Sequence, residues 1–155
     1  MILSRSLATA ALLLSPLLAN AQSAPGDGDA SKVSFNPRIE QAADGASELV
    51  LDATVAPGWV LYASDFEQPE IGPRVARITL ADGAKADGAL RSVASHEGHG
   101  KTFAGAYRYT YFTDHGQLRQ RLAGKPAQVE ATVQAQVCFE ESGLCELVRQ
   151  EVAVR

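Results

Sequence analysis

Turn signals recur at short intervals along the chain, and their spacing limits the fold more than any other feature. From Val33 onward, runs with β-strand character are separated by Gly, Pro and Asp, with turns roughly every 8–12 residues. No sustained helical period and no internal repeat interrupts this pattern. Eight or nine such runs predict an all-β domain, an immunoglobulin-like antiparallel β-sandwich with little helix.

The clearest predicted strand runs from Ser47 to Val55. Its apolar residues alternate with more polar ones, which predicts one buried face and one mostly solvated face. A turn is expected around His115, between Asp114 and Gly116. The other predicted strands are 59–63, 74–80, 90–95, 106–113, 117–122, 128–139 and 144–154.

The N-terminal residues predict export. Arg5 precedes an apolar run that is too short to span a bilayer, and Ala19-Asn20-Ala21 fits a signal-peptidase cleavage pattern. We therefore expect a signal peptide over residues 1–21, a flexible polar leader over residues 22–32 and one folded domain over residues 33–155.

Charge and hydropathy narrow the possible partners. Loss of Arg5 with the signal peptide leaves a net charge near −5, which argues against nucleic acid as a partner. No later stretch is long and apolar enough to span a membrane, so direct membrane insertion is not expected. The mature domain is predicted to be soluble.

The only two cysteines fall near the tip of a predicted hairpin. If the loop is 140–143, Phe139 faces Leu144 and Cys138 faces Cys145. This register places apolar residues opposite one another on one side of the hairpin. The cysteines then share the other side with Gln134, Gln136, Arg149 and Glu151, where both are predicted to be accessible.

Two functions for the pair remain open at this point. A disulfide that closes so short a loop contributes only about 2.5 kcal/mol by the loop-entropy relation, so it is a weak structural staple. Exposed disulfides tend to be the labile ones. One hypothesis is a thiol–disulfide oxidoreductase, and the other is an immunoglobulin-like adaptor or binding module with a structural disulfide.

Several motifs in order resemble one family, the periplasmic N-terminal domain of the thiol:disulfide interchange protein DsbD. The resemblance implies a periplasmic protein-disulfide reductase that needs no cofactor and passes electrons to oxidised thioredoxin-fold proteins. Since no membrane domain follows Arg155, we expect a separate membrane protein as electron donor. The motifs are Gly58-Trp59-Val60-Leu61-Tyr62, His96-Glu97, Phe103-Ala104-Gly105, Tyr107-Arg108, Gln136-Val137-Cys138 and Gly143-Leu144-Cys145.

The resemblance also implies roles for individual residues. Cys145 corresponds to the thiol that attacks the target disulfide, and Cys138 to the resolving thiol. Residues 96–105, which include His96 and Glu97, resemble a loop that caps the cysteines. Within that segment Phe103 is the expected shielding ring, and Tyr62 matches an aromatic position that lines the site.

The remaining polar and aromatic residues have simpler explanations. His96 and His99 could suggest a copper or zinc site, but they lack a defined third ligand, so no metal is expected. If they approach the cysteines, they could instead lower a thiol pKa when protonated. Trp59 and the aromatic residues of 107–112 are expected in core and cross-strand packing. No nucleophile motif indicates a hydrolase.

Overall fold

A computed structural model describes residues 32–155, which form ten β-strands and no helix. The predicted signal peptide and all of the predicted leader except Lys32 lie outside this part of the chain. No helix in residues 32–155 is long and apolar enough to cross a membrane. The strands are β1 (Val33–Gln41), β2 (Ser47–Val55), β3 (Trp59–Tyr62), β4 (Arg77–Leu80), β5 (Arg91–Val93), β6 (His96–Thr102), β7 (Gly105–Phe112), β8 (His115–Leu122), β9 (Val129–Phe139) and β10 (Cys145–Val154).

The strands form two antiparallel sheets, which confirms the predicted immunoglobulin-like sandwich. One sheet has the order β1-β2-β8-β5, and the other has the order β10-β9-β3-β7-β6, with β4 also paired to β9. Alternate apolar side chains from both sheets meet in one core, because successive strand residues point to opposite faces. Its largest fully buried members include Phe112, Leu49, Leu51, Leu61, Leu118, Leu122, Val133 and Val137.

Strand β2 departs from the predicted pattern on its outer face. Glu48 is only 3% exposed and Val50 is fully buried, although both point away from the core. Val50 is flanked across the sheet by Arg38 and Arg119, and Glu48 bonds to the guanidinium groups of Arg119 and Arg91. The long arginine side chains therefore cover a face that alternation alone predicted to be mostly solvated.

The other differences concern strands with unusual composition. The turn predicted over Asp114, His115 and Gly116 includes only Asp114, which lies in the bend before β8, and the prediction was wrong for His115 and Gly116, which begin that strand. Segment 96–102 forms strand β6, where the sequence predicted a loop. With β1 and β6 included, the structure has ten strands instead of eight or nine.

Candidate redox site

Strands β9 and β10 place the two cysteines opposite each other, in the predicted register. Cys145 pairs with Cys138, and Val148 pairs with Ala135 farther along the hairpin. Phe139 donates its N–H to the carbonyl of Leu144 at 2.8 Å, so the adjacent cysteine pair occupies a non-hydrogen-bonded position. Such positions bring Cα atoms closest together, and here they lie 4.0 Å apart and are joined by a disulfide.

The hairpin tip is held by hydrogen bonds within its own turn and by contacts with Gly58 and Trp59 at the start of β3. Gly143 has a φ of +68°, which glycine adopts without side-chain strain, and its N–H bonds to the carbonyl of Phe139 at 2.8 Å. Gly58 accepts a hydrogen bond from the Glu140 N–H at 2.9 Å. The Phe139 ring packs against Trp59 at a centroid distance of 5.3 Å. These contacts fix the loop that joins the two disulfide-bonded strands.

The two sulfur-bearing residues differ sharply in exposure. Cys145 is exposed, whereas Cys138 is only 5% exposed. The prediction that both are accessible was therefore wrong for Cys138. The reason is that β3 pairs with the other edge of β9 and places the buried residue Val60 directly beside Cys138. Edge strand β10 leaves Cys145 open to solvent.

Four tyrosines share the outer face of the sheet with the disulfide. Tyr62 pairs across the strands with Tyr111, and its ring lies 5.5 Å from that of Tyr109. The rings of Tyr107, Tyr109 and Tyr111 follow one another along β7 at 6.0 Å and 5.8 Å. Burial raises the pKa of Tyr62 and Tyr109, with neighbouring tyrosines adding to the effect. Except for Tyr62, these rings were expected only as packing residues.

The predicted cap, residues 96–105, forms β6 and the turn into β7, and β6 and β7 pair as a β-hairpin. Phe103 lies in its turn and is 87% exposed, so its ring does not shield the disulfide in this structure. Glu97 on β6 forms an ion pair with Arg108 at 3.1 Å, and a carboxylate oxygen of Glu97 lies 3.4 Å from Nε2 of His99. The hairpin thus borders the tyrosine rings and leaves Cys145 uncovered.

His96 belongs to this hairpin and not to the cysteine pair. Its ring lies 5.5 Å from that of Tyr111, and its Nε2 is 3.3 Å from the hydroxyl of Thr113. Within residues 32–155, no group of three His, Cys, Asp or Glu side chains is arranged to hold a metal ion. In this structure His96 contacts Tyr111 and Thr113, and His99 contacts Glu97.

A family model described as "Thiol:disulfide interchange protein DsbD, N-terminal" matches residues 30–154. The chain belongs to the DsbD N-terminal family. This match confirms the resemblance seen in the sequence, and with the disulfide at the hairpin tip it supports a thiol–disulfide exchange module. A comparison with curated protein sequences gave no match.

Two solved structures resemble this member of the DsbD N-terminal family. The N-terminal periplasmic domain of ScsB from Proteus mirabilis has a TM-score of 0.56 and 14% identity, covering 85% of this chain and 49% of that one. The reduced DsbD N-terminal domain of Neisseria meningitidis has a TM-score of 0.49 and 18% identity, covering 77% and 83%. The likeness to ScsB supports the fold, and the chain spans about half of that ScsB chain.

Sequence reasoning missed the residues that shape the surroundings of the site. Val60 was read as part of a motif, yet it is the neighbour that buries one face of Cys138. Gly98 and Gly100 lie opposite Tyr109 and Tyr107, and a Cβ atom at either glycine would be within 2.5 Å of the facing ring. Glycines spaced two apart, followed by tyrosines spaced two apart, were the available signal for this packing.

Proposed function

We propose that this chain is an exported periplasmic reductase module. It passes electrons through Cys138 and Cys145 from a separate membrane donor to oxidised thioredoxin-fold proteins. The observation that carries the proposal is the contrast between the two cysteines, because one is exposed and its bonded partner is buried. A partner can therefore reach Cys145 first, which gives the two thiols different roles.

The reducing half-reaction begins with both cysteines as thiols. The Cys145 thiolate attacks one sulfur of the partner disulfide, forms a mixed disulfide and releases the other partner sulfur as a thiolate. Cys138, once deprotonated, then attacks the Cys145 sulfur and releases the remaining partner sulfur. Two electrons pass to the partner, whose two sulfurs take up two protons in place of those lost by the cysteines.

The return half-reaction needs a dithiol donor, which we assign to the membrane reductase. A donor thiolate attacks the exposed Cys145 sulfur of the disulfide and releases the Cys138 thiolate. A second donor thiol then breaks the mixed disulfide and becomes oxidised. Because Cys145 is exposed and Cys138 is buried, both half-reactions pass through the Cys145 sulfur atom.

The neighbouring hairpin and tyrosines contribute to partner contact in this proposal. Tyr62 lies two residues beyond Val60, on the same face as the disulfide, and lines the approach to it. The β6–β7 hairpin carries His96, Glu97 and the exposed ring of Phe103. We assign Phe103 an apolar contact with the bound partner instead of a permanent cover over the sulfurs.

Trapping the mixed disulfide tests the assignment. Reduced Cys138→Ser is mixed with a thioredoxin that keeps only its exposed active-site cysteine, activated as a 2-thiopyridyl disulfide, and covalent complexes are measured by non-reducing electrophoresis and mass spectrometry. We expect a stable complex bonded through Cys145, because neither protein retains a resolving thiol. The matched Cys145→Ser variant should give little complex, because the remaining thiol is buried.

Equal trapping by both variants, or trapping by neither, would contradict the proposed roles. Export is tested separately by expressing the full chain with its N-terminus intact. Mass spectrometry of the periplasmic fraction should find a mature protein that begins near Gln22. Recovery of only the uncleaved chain from the cytoplasm would contradict the proposed location.

A further inference from the structure

A groove runs along the outer face of the six-stranded sheet, and one end of it lies two residues from Cys145. It has a volume of about 230 Å³ and lies over β9, between β10 and the segment that enters β4. Leu147, which is 66% exposed, lies at the end nearest Cys145 and two residues from it. The lining residues are Gln68, Arg74, Val75, Arg77, Gln134, Ala135, Leu147, Val148 and Arg149.

Three arginines cluster along this groove without a carboxylate partner. Residues 32–155 contain nine arginines, and six of them form ion pairs with carboxylates. The three that form no ion pair within residues 32–155 are Arg74, Arg77 and Arg149, all of which line the groove. The chain as a whole has a formal net charge of −4, so this cluster of three unpaired arginines is a local feature of the groove.

The walls of the groove are held in place by polar contacts that leave the guanidinium groups available. The side chain of Gln136 accepts a hydrogen bond from the Arg74 backbone N–H at 2.7 Å, which ties the segment before β4 to β9. Arg77 lies opposite Gln134, which in turn lies opposite Arg149. The two arginines therefore flank one position of β9 on the same face of the sheet.

Three carboxylates lie close to this groove in the chain or on the sheet. Glu151 follows Arg149 by two residues on the same face of β10, and Glu67 and Glu70 lie in the exposed segment around Gln68. None of the three forms an ion pair with a groove arginine within 4.0 Å. A planar guanidinium group binds a carboxylate through two parallel hydrogen bonds, so the groove suits a ligand that carries carboxylates.

We propose that this arginine groove binds an acidic segment of the partner protein and thereby aligns the partner's disulfide with Cys145. The inference rests on the proposed exchange function and names the chemistry of the partner. Arg149 is four residues from Cys145 along an extended strand, a distance of about 13 Å. The partner's carboxylates should therefore lie about four residues of extended chain from its reacting cysteine.

Peptide disulfides of matched sequence test the proposal on the whole mature chain. Each peptide carries one cysteine activated as a neutral 2-thiopyridyl disulfide, and the release of thiopyridone is followed by absorbance. The acidic peptide has glutamates at the fourth and sixth positions after the cysteine, and its match has glutamines there. We expect the reduced protein to react with the acidic peptide about tenfold faster at low ionic strength.

Charge variants then locate the preference. In the double variant Arg77→Gln/Arg149→Gln, the ratio of the acidic to the glutamine rate should fall to within about twofold of unity. The matched double variant Lys125→Gln/Arg155→Gln removes the same charge outside the groove and should keep most of the preference. Moving the glutamates to the tenth and twelfth positions should also remove the preference.

The outcomes separate this proposal from the exchange function. Equal rates for the two peptides would overturn the groove assignment alone, whereas no reaction with either peptide would overturn the exchange function as well. A preference that survives the groove variant, or that both double variants reduce equally, would show a general charge effect and overturn the assignment. The double variant Arg77→Gln/Arg149→Gln is also tested with oxidised glutathione. If it loses reactivity toward glutathione while the ratio of the two peptide rates is unchanged, the groove binds a small carboxylate ligand, and the assignment of a protein partner is overturned.

Discussion

The outer faces of the two sheets differ in how their polar groups are satisfied. On the four-stranded sheet, which we call the ionic face, Glu48 is bonded by Arg91 and Arg119, and Glu40 is bonded by Arg38 and Arg119. On the six-stranded sheet, the redox face, the exposed residue Cys145 shares the outer face with the groove that the three unpaired arginines line. The same fold thus carries one face closed by internal partners and one face with groups free to meet a ligand.

This contrast shows which face is available for function. Charged groups that already bond one another lose those interactions if they turn toward a partner, whereas unpaired groups gain interactions on binding. The only disulfide lies on the redox face, and all three of the unpaired arginines lie there too. We therefore expect mutations of Cys145 and the unpaired arginines on the redox face to change exchange rates, and mutations of the paired charges on the ionic face to change stability.

The largest expected effect is loss of exchange in Cys145→Ala. This variant should reduce peptide disulfides no faster than the uncatalysed background, because the accessible nucleophile is gone. Its stability should fall by about 2.5 kcal/mol relative to the oxidised protein, since the short loop is no longer closed. Denaturant unfolding checks the stability, with Cys138→Ala as the control that loses the same bridge. A stability loss in Cys145→Ala much larger than in the control would mean that Cys145 has a separate packing role.

The second effect tests the ionic face through Glu48→Ala. Removal of this buried carboxylate leaves Arg119 and Arg91 without their shared partner, so we expect a loss of about 2–3 kcal/mol in unfolding free energy. The exchange rate should stay unchanged. Glu130→Ala breaks an exposed pair with Arg155 and serves as the control, with an expected loss below about 0.5 kcal/mol. Equal losses in both variants would remove the distinction between a buried network and a surface pair.

A smaller effect is expected from Gly98→Ala, which disturbs the tyrosine packing on the redox face. The added Cβ would lie 2.4 Å from the Tyr109 ring, so the ring must move, at a cost of about 1–2 kcal/mol. Thermal unfolding of this variant is compared with the same substitution made in a Tyr109→Ala background. The cost should shrink there, and an unchanged cost would show that the ring contact is not its cause.

The smallest effect concerns the pH dependence of the ionic face. The hydrogen bond from Arg38 lowers the pKa of Glu40 below its ordinary value of 4.5, with Arg119 assisting. The resulting stability is present above pH 4.5 and is lost as the pH falls through the lower folded-state pKa. Because the side chain is partly exposed, the contribution should be about 0.5 kcal/mol or less. The free energy of unfolding, measured from pH 6 to pH 3, should therefore depend slightly less on pH in Glu40→Gln than in the unmutated protein. A steeper dependence in the variant would contradict the predicted direction of the pKa shift.

The hairpin could be predicted from sequence because its signals are local. Alternating apolar residues and Gly143 were enough to set the register that pairs Cys138 with Cys145. The burial of Cys138 could not be predicted in this way, because it depends on β3, which pairs with the other edge of β9 from far away in the chain. The prediction of two accessible cysteines considered only the hairpin itself.

Strand β6 shows a second limit of sequence reasoning. Its residues have low strand propensity, and Gly98 and Gly100 indicated a loop. In the fold, the rings of Tyr109 and Tyr107 lie where side chains on those glycines would be. Cross-strand packing therefore overrides the low strand propensity. The arginine groove was also hidden, because Arg74, Arg77 and Arg149 come from two regions that meet only through β9.

The most direct test of the central claim is the equilibrium reduction potential of the Cys138–Cys145 pair. It is measured in a dithiothreitol or glutathione series, with circular dichroism recorded on both redox forms. A carrier that exchanges through one exposed sulfur should have a potential of roughly −180 to −270 mV and keep its fold when reduced. A value below about −300 mV, or unfolding on reduction, would contradict the account and make the disulfide structural.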